Sequence, residues 1–202
     1  MHLFKKTIII IPLLLILVFI VEYFMMINYL KTHHFSQEVI KDEISYFNFK
    51  VIEKSIILTM YFIYITLSIN IGFIYLKYKV KFITIVKIVL FGFLSLVITQ
   101  IFSMINIWFS NYVFSTATVE QIEKSYYITH YLNTNNFEKY LLMPLDMTFN
   151  FNQILLILLL AFAMSTTVKQ SYFKSLLITF KTYGISAFIM FLFLLMMEIN
   201  FN

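Results

Sequence analysis

Five long apolar blocks, separated by polar segments, dominate the pattern of this chain. Each block is close to the ~20 apolar residues that a helix needs to cross a bilayer. The pattern predicts an all-α polytopic membrane protein in which residues 1–202 form a single membrane domain. Its five transmembrane helices cover residues 7–30, 56–76, 82–109, 149–168 and 175–197, and its longer connections are the outer loops 31–55 and 110–148.

The first block has one feature of a signal peptide, because Lys5 and Lys6 precede it. Its apolar stretch is longer than the core of a signal peptide, and the following INYLKTHH lacks a small-x-small cleavage site. We therefore interpret it as a retained span. The fourth block is the weakest, since its polar start TFNFNQ leaves only ILLILLLAFAM as strongly apolar sequence.

Lysines are distributed unevenly between the connections. The segment before the first block and the two short turns contain only basic charges, namely Lys5, Lys6, Lys77, Lys79, Lys81, Lys169 and Lys174. Segments 31–55 and 110–148 are longer and contain eight acids beside six lysines. Because lysine-rich short connections face the cytoplasm, the N-terminus is predicted inside and the C-terminus outside. The expected location is a bacterial cytoplasmic membrane.

Composition supports this prediction and removes several kinds of chemistry. The chain has 202 residues, 61% of them hydrophobic and 12% charged, with a mean hydropathy of +0.86. The absence of cysteine excludes thiolate catalysis, cysteine-bound metal clusters and disulfides. The net charge of +5 comes from the lysines of the cytoplasmic turns, so no nucleic acid is expected as a partner.

The outer loops contain signals for short surface helices. Thr118 with Gln121 fits a capping box, and Asn135 with Glu138 fits a weaker helix start. Ser36 is a candidate N-cap, followed at helical spacing by Ile40, Ile44 and Phe47. A dense aromatic set outside the spans is a candidate surface for a protein partner or the membrane, and it includes Tyr126, Tyr127, Tyr131, Phe137 and Tyr140.

Two groups of polar residues fall inside the predicted spans. Asn70, Lys87 and Lys181 lie at similar depth, about 9–10 Å inside the cytoplasmic boundary for the lysines. They either form one inner-leaflet polar layer that binds an anionic group, or the lysines reach separately to the headgroups. Glu22 is the intramembrane acid, and Gln100 and Asn106 are its candidate partners. It serves in a proton or cation relay, or it stays neutral or reaches to the outer interface.

Candidate catalytic and metal residues are few. His33, His34 and Glu38 are close in sequence, but they are too few for a complete metal site. The chain contains no HExxH, GxGxxG, P-loop, GxSxG or GxxxG motif. We therefore predict that the protein is not an enzyme and has no catalytic residues, no metal site and no cofactor.

The sequence contains a faint internal repeat, which is either a duplicated hairpin or a chance similarity between two short apolar segments, and it contains a family resemblance. KFITIVKIVLFG at 81–92 and KSLLITFKTYG at 174–184 share a lysine, a second lysine about two turns later, and a glycine. Residues 151–195 resemble the last two spans of Yip1-like membrane proteins, through Tyr172, Phe173, Lys174, Tyr183 and Gly184. The resemblance implies five spans in the same orientation and a non-enzymatic scaffold or trafficking adaptor.

Two classes of function are compatible with this sequence. The first is a non-catalytic membrane subunit or scaffold, whose outer loops contact a membrane-protein partner, a second copy of the chain or the bilayer surface. The second is a transporter-like component that moves an ion or a lipophilic solute. We favour the first, because the chain has only three glycines, and Pro12 is the only proline inside a predicted span.

Overall fold

The computed structural model describes residues 2–32, 36–109, 144–145, 148 and 150–201, and this part of the chain is almost entirely helical. The predicted all-α class is confirmed. The helices are α1 (His2–Thr32), α2 (Gln37–Tyr75), α3 (Phe82–Gly92), α4 (Leu94–Phe109), α5 (Phe151–Val168), α6 (Tyr172–Thr179) and α7 (Ile185–Phe201), with a π-helical segment (Phe180–Gly184) between α6 and α7.

Four helical stretches of the described chain are long and apolar enough to cross a membrane. They are Gln37–Tyr75, Phe82–Phe102, Phe151–Val168 and Tyr172–Ile199. These helices indicate an integral membrane protein. The apolar part of α1, Ile10–Met25, is shorter and covers about 24 Å, less than the ~30 Å hydrocarbon core. By helix length and apolarity, the described chain therefore has four candidate spans, and the fifth predicted span, α1, stays a prediction.

Helix α2 begins as predicted but is much longer than its span. Ser36 is its N-cap, and the Ser36 side chain accepts a hydrogen bond from the Val39 backbone N–H at 3.4 Å. The helix then continues unbroken to Tyr75, so residues 37–55 are not the separate loop that the polar pattern predicted. The reason is local: this segment contains no glycine or proline that would end a helix.

Two predicted spans are interrupted helices. The 82–109 span breaks at Phe93, between α3 and α4, and the 175–197 span contains the π-helical segment. Gly92 precedes the first break, and Gly184 ends the π-helical segment. Gly92 lies tightly against α5, where a Cβ would come within 2.7 Å of Leu160 Cδ2. The glycines of the predicted repeat thus mark both interruptions.

The bundle core is built by α2, α3, α5 and the α6–π segment. Helix α2 packs against α3 and the π-helical segment, α5 packs against α3, α4 and α6, and α1 packs mainly against α3 and α4. Ile65 and Phe73 of α2, Ile88 of α3 and Leu160 of α5 are fully or almost fully buried in one cluster. Packing of branched apolar side chains therefore holds the helices together.

The two basic turns lie at the same end of the bundle. Lys77 follows α2 and Lys169 caps α5, and both adopt left-handed backbone conformations with φ of 58° and 54°. Gly92 is ten residues from the start of α3, and its neighbour Leu160 is eight residues from the end of α5. Gly92 and Leu160 contact each other at a similar distance from the two turns. The turns therefore lie at nearly the same position along the long axis of the bundle.

Candidate functional site

Two tyrosines and one glutamine form a hydrogen-bonded cluster that joins three separate elements. Tyr61 belongs to α2, Gln153 to the first turn of α5, and Tyr183 to the π-helical segment. The two hydroxyl oxygens are 2.6 Å apart, and those of Tyr61 and Tyr183 lie 2.7 Å and 2.5 Å from Gln153 Oε1. We call these three residues the tyrosine–glutamine triangle.

Local structure places each member of the triangle. Asn150 caps α5 and accepts a hydrogen bond from the Gln153 backbone N–H at 2.9 Å, which fixes the first turn. Tyr61 lies on the same face of α2 as Ile65 and therefore faces the core. Tyr183 is only 2% exposed, and its π-helical turn sets its direction differently from a regular helix.

The triangle has more contacts than hydroxyl protons. Each phenol carries one proton, while the Gln153 carbonyl oxygen only accepts. Two protons therefore serve three oxygen–oxygen contacts, and one contact is always without a proton. In one arrangement, both tyrosines donate to Gln153. In the other, the first tyrosine donates to the second, and the second donates to Gln153. The arrangement links three elements and permits its protons to change partners.

A second set of polar contacts continues the triangle along α2. The Tyr64 hydroxyl donates to Ser186 Oγ at 3.1 Å, and Ser186 Oγ lies 2.9 Å from Ser68 Oγ. The rings of Tyr64 and Tyr183 meet edge to face, with centroids 6.5 Å apart. Hydroxyl groups of α2 and α7 therefore pair with one another inside the bundle, where they are shielded from lipid.

The predicted intramembrane acid has the predicted partner. Gln100 Nε2 of α4 donates a hydrogen bond to Glu22 Oε1 of α1. The Asn106 side chain, the other predicted partner, lies outside the described part. The contact connects the first helix to the second half of the interrupted 82–109 span. A relay role for Glu22 stays a prediction.

The predicted inner-leaflet residues lie on three neighbouring elements. Asn70 on α2 and Lys87 on α3 are half-buried, and Lys181 in the π-helical segment is exposed. Gly72 packs directly against Thr182, which brings the part of α2 near Asn70 next to the segment that contains Lys181. Among described residues, no side-chain hydrogen bond or ion pair joins the three. A shared binding layer stays a prediction.

Several predicted residues lie outside the described part of the chain. These are His33, His34 and the aromatic set Tyr126, Tyr127, Tyr131, Phe137 and Tyr140, together with the two capping signals at 118–121 and 135–138. The predicted partner surface in the second outer loop is therefore untested. Within the described residues, no three His, Asp or Glu side chains are grouped as metal ligands.

Sequence reasoning did not single out Tyr61 and Gln153, or predict that Tyr183 joins them. The sequence showed that Gln153 is polar at the start of an apolar block, and that Tyr183 stands before Gly184. However, Tyr61 is 92 residues from Gln153 and 122 from Tyr183. Tyrosine is too common in this chain for such a distant pairing to stand out, since it occurs 14 times.

Comparison with models of protein families, with curated proteins and with solved structures found no match. The resemblance of residues 151–195 to Yip1-like proteins therefore stays a sequence-based expectation.

Proposed function

We propose that this protein is a non-catalytic integral membrane subunit or scaffold that binds another membrane protein through its outer segments. The observation that carries the proposal is the outer half of α2. A helix of 39 residues is about 58 Å long, whereas the hydrocarbon core is about 30 Å thick. About 28 Å of α2, residues 37–55, therefore projects beyond the apolar span.

The projecting part of α2 presents apolar side chains among its charges. Tyr46, Phe49 and Ile52 expose 53%, 64% and 60% of their surface. Lys50 and Glu53 form an ion pair at 3.3 Å on the same segment, which is typical of a helix outside hydrocarbon. Within the described part of the chain, an exposed aromatic surface next to an ion pair favours a protein contact.

The polar interior supports a scaffold over a reaction site. The hydroxyls and the amide of the triangle bond to one another, and Ser186 bonds to Ser68 and Tyr64. These groups brace the packed helices and present no pair of nucleophile and base. The absence of catalysis is part of the proposal.

The proposal includes five spans, with the N-terminus in the cytoplasm and the C-terminus outside. The basic turns at one end of the bundle, with Lys77, Lys79 and Lys81 in one and Lys169 and Lys174 near the other, support this orientation. The Yip1-like resemblance supports the same topology and an adaptor-like role. Its residues Tyr172, Phe173 and Lys174 begin α6 in the second basic turn.

Purification in mild detergent tests the proposed function. We expect a second membrane protein or a second copy to copurify at constant stoichiometry with the native chain. The double variant Tyr46→Ser and Phe49→Ser should release that partner, whereas Asn48→Ser, an exposed position on another face of α2, should retain it. A solitary native protein that shows turnover or solute flux after reconstitution would contradict the proposal.

The second candidate is a transporter-like component, which the interrupted helices favour. The helices that follow both basic turns are interrupted, after 11 residues at Phe93 and after 8 residues at Phe180–Gly184. Ser95 Oγ and Asn152 Oδ1 are buried and bond to no other described residue, so a water molecule or solute would satisfy them. Flux through liposomes that is lost in Asn152→Leu but kept in the exposed control Asn48→Ser would favour this candidate.

A further inference from the structure

The end of the bundle that contains both basic turns carries exposed lysines on four helix ends. They lie where α2 ends, α3 begins, α5 ends and α6 begins. We call them the lysine face, and its members are Lys77, Lys79, Lys81, Lys169 and Lys174. Because the two turns lie at nearly the same position along the bundle, these lysines share one surface.

The described chain offers no acid to neutralise the lysine face. Among the described residues, none of its five lysines forms an ion pair. Glu53 is the last acid of α2 and lies 22 residues before its end at Tyr75, about 33 Å along the helix. Glu198 follows Lys174 by 24 residues, about 36 Å of helix. The mutual repulsion of the lysines is therefore not offset within the described chain.

The returning helices add positive charge at the same surface. Helix α3 begins directly after Lys81, and α6 has Lys174 in its first turn. A helix N-terminus bears a partial positive charge and favours acids nearby, yet neither first turn contains an acid. An anion from outside the described chain therefore stabilises both the lysines and the two helix ends.

Exposed aromatic rings beside the lysines identify the source of that anion. Phe82, Tyr172 and Phe173 begin α3 and α6 and expose 56%, 42% and 73% of their surface. Tyr75, the last residue of α2, is exposed as well. Aromatic rings at the ends of membrane helices lie at the level of the lipid headgroups. Lysines at this level reach lipid phosphates with their long side chains.

We infer that the lysine face binds the headgroups of anionic phospholipids, which neutralise its charge and hold this end of the bundle at the membrane surface. The inference goes beyond the proposed function, because it applies to a scaffold and to a transporter alike. A bilayer surface reaches all five lysines at once, since they lie on the ends of four membrane helices.

Native mass spectrometry of the full-length protein tests the lipid class. The protein is released from micelles that contain equal amounts of phosphatidylglycerol and phosphatidylcholine, and the retained lipids are counted. Both lipids have a phosphate, but only phosphatidylglycerol has a net negative charge. We expect the native chain to retain phosphatidylglycerol over phosphatidylcholine by about five-fold or more. Equal retention of the two lipids overturns the inference.

Paired substitutions test whether the lysine face is the place of binding. Lys79→Gln with Lys174→Gln should lower the retention of phosphatidylglycerol by about 10- to 30-fold, and the corresponding arginine pair should preserve it. The control pair Lys31→Gln with Lys41→Gln removes the same charge from exposed positions at the other end of the bundle, and it should have little effect. An equal loss in both glutamine pairs is an effect of net charge and overturns the site.

Inorganic phosphate separates a lipid headgroup from a free anion. An excess of inorganic phosphate should leave most of the phosphatidylglycerol bound, because the lipid is also held by its acyl chains. Complete displacement assigns the lysine face to a free anion and overturns the lipid. The count of retained lipid is independent of copurification, so a protein partner without a preference for phosphatidylglycerol leaves the proposed function standing and removes this inference.

Discussion

At the scale of single residues, the triangle shows how this bundle uses polar groups. A hydroxyl or amide facing lipid has no water to bond, so polar atoms of membrane helices pair inside the bundle. Tyr61, Gln153 and Tyr183 do so across three elements. Because two hydroxyl protons serve three contacts, either tyrosine alone still gives Gln153 a donor.

This proton count predicts that the two tyrosine substitutions are cooperative. Tyr61→Phe and Tyr183→Phe should each lower the free energy of unfolding by less than about 1 kcal/mol, since one donor to Gln153 remains. The double variant leaves the Gln153 carbonyl oxygen without a hydroxyl donor and should cost about 1–3 kcal/mol, more than the sum of the single losses. Reversible unfolding in mixed micelles measures all three variants.

Tyr75 provides the matched control for this cycle, because it is 84% exposed. Tyr75→Phe combined with either triangle substitution should give additive losses. Additive losses in the Tyr61 and Tyr183 double variant as well would show that the two hydroxyls do not share Gln153 as an acceptor.

The residue scale also shows which pairings a sequence can predict. Glu22 and Gln100 are isolated polar residues at similar outer depths in apolar blocks, so each had few possible partners, and their hydrogen bond was predicted correctly. The number of possible partners was not restricted in this way for Tyr61 and Tyr183, since tyrosines are common in these apolar blocks. Formation of the triangle depends on the π-helical segment, and the only sequence signal for that segment is Gly184 of the predicted repeat, which does not point to Tyr61 or Gln153.

At the scale of elements, helix phase and local packing decide where each helix ends. The charged residues of 37–55 predicted an outer loop with a short surface helix that begins at Ser36, but Ile40, Ile44 and Phe47 are half-buried and this helix continues without a break into the span. Phe47 meets Tyr23 of α1, with ring centroids 5.6 Å apart, so this extension is packed as well as helical. The apolar pattern predicted the positions of the long apolar helices, whereas the breaks at Phe93 and Phe180–Gly184 depend on contacts between helices.

The contact between α2 and the π-helical segment gives a prediction at this scale. Gly72 lies so close to Thr182 that a Cβ would come within 3.0 Å of the Thr182 Cα, and backbone atoms cannot rotate away. Gly72→Ala should therefore lower the free energy of unfolding by about 1–3 kcal/mol through overpacking. Unfolding in mixed micelles, with crosslinking of α2 to the π-helical segment, measures the effect.

Gly184→Ala is the control, because its new Cβ would meet the Phe180 ring at 3.1 Å, and that ring belongs to an exposed side chain that can shift. We expect a smaller loss for Gly184→Ala than for Gly72→Ala. A larger loss at Gly184 would mean that the shape of the π-helical segment, and not its contact with α2, limits stability.

At the scale of the whole molecule, the two hairpins have a common plan. In each, a helix ends in a basic turn with a left-handed lysine, Lys77 or Lys169, and the returning helix is interrupted after its first 11 or 8 residues. The basic turns lie at one end, and Glu38 and the N-terminal half of α2 lie toward the other. This separation of lysine-only turns from mixed charge is what the positive-inside rule uses.

Labelling of introduced cysteines from one side of the membrane tests the whole arrangement, since native cysteine is absent. Ser45 is exposed on the N-terminal half of α2, and Ser171 is exposed in the second basic turn. In intact cells, an impermeant maleimide should label Ser45→Cys at once and Ser171→Cys only after lysis. The reason is that the two positions lie at opposite ends of helices that are long and apolar enough to cross a membrane.

Labelling of His2→Cys then decides whether α1 crosses the membrane, since its apolar part is short. Protection of His2→Cys before lysis, like that of Ser171→Cys, gives five spans, whereas labelling from outside gives four and contradicts the predicted topology.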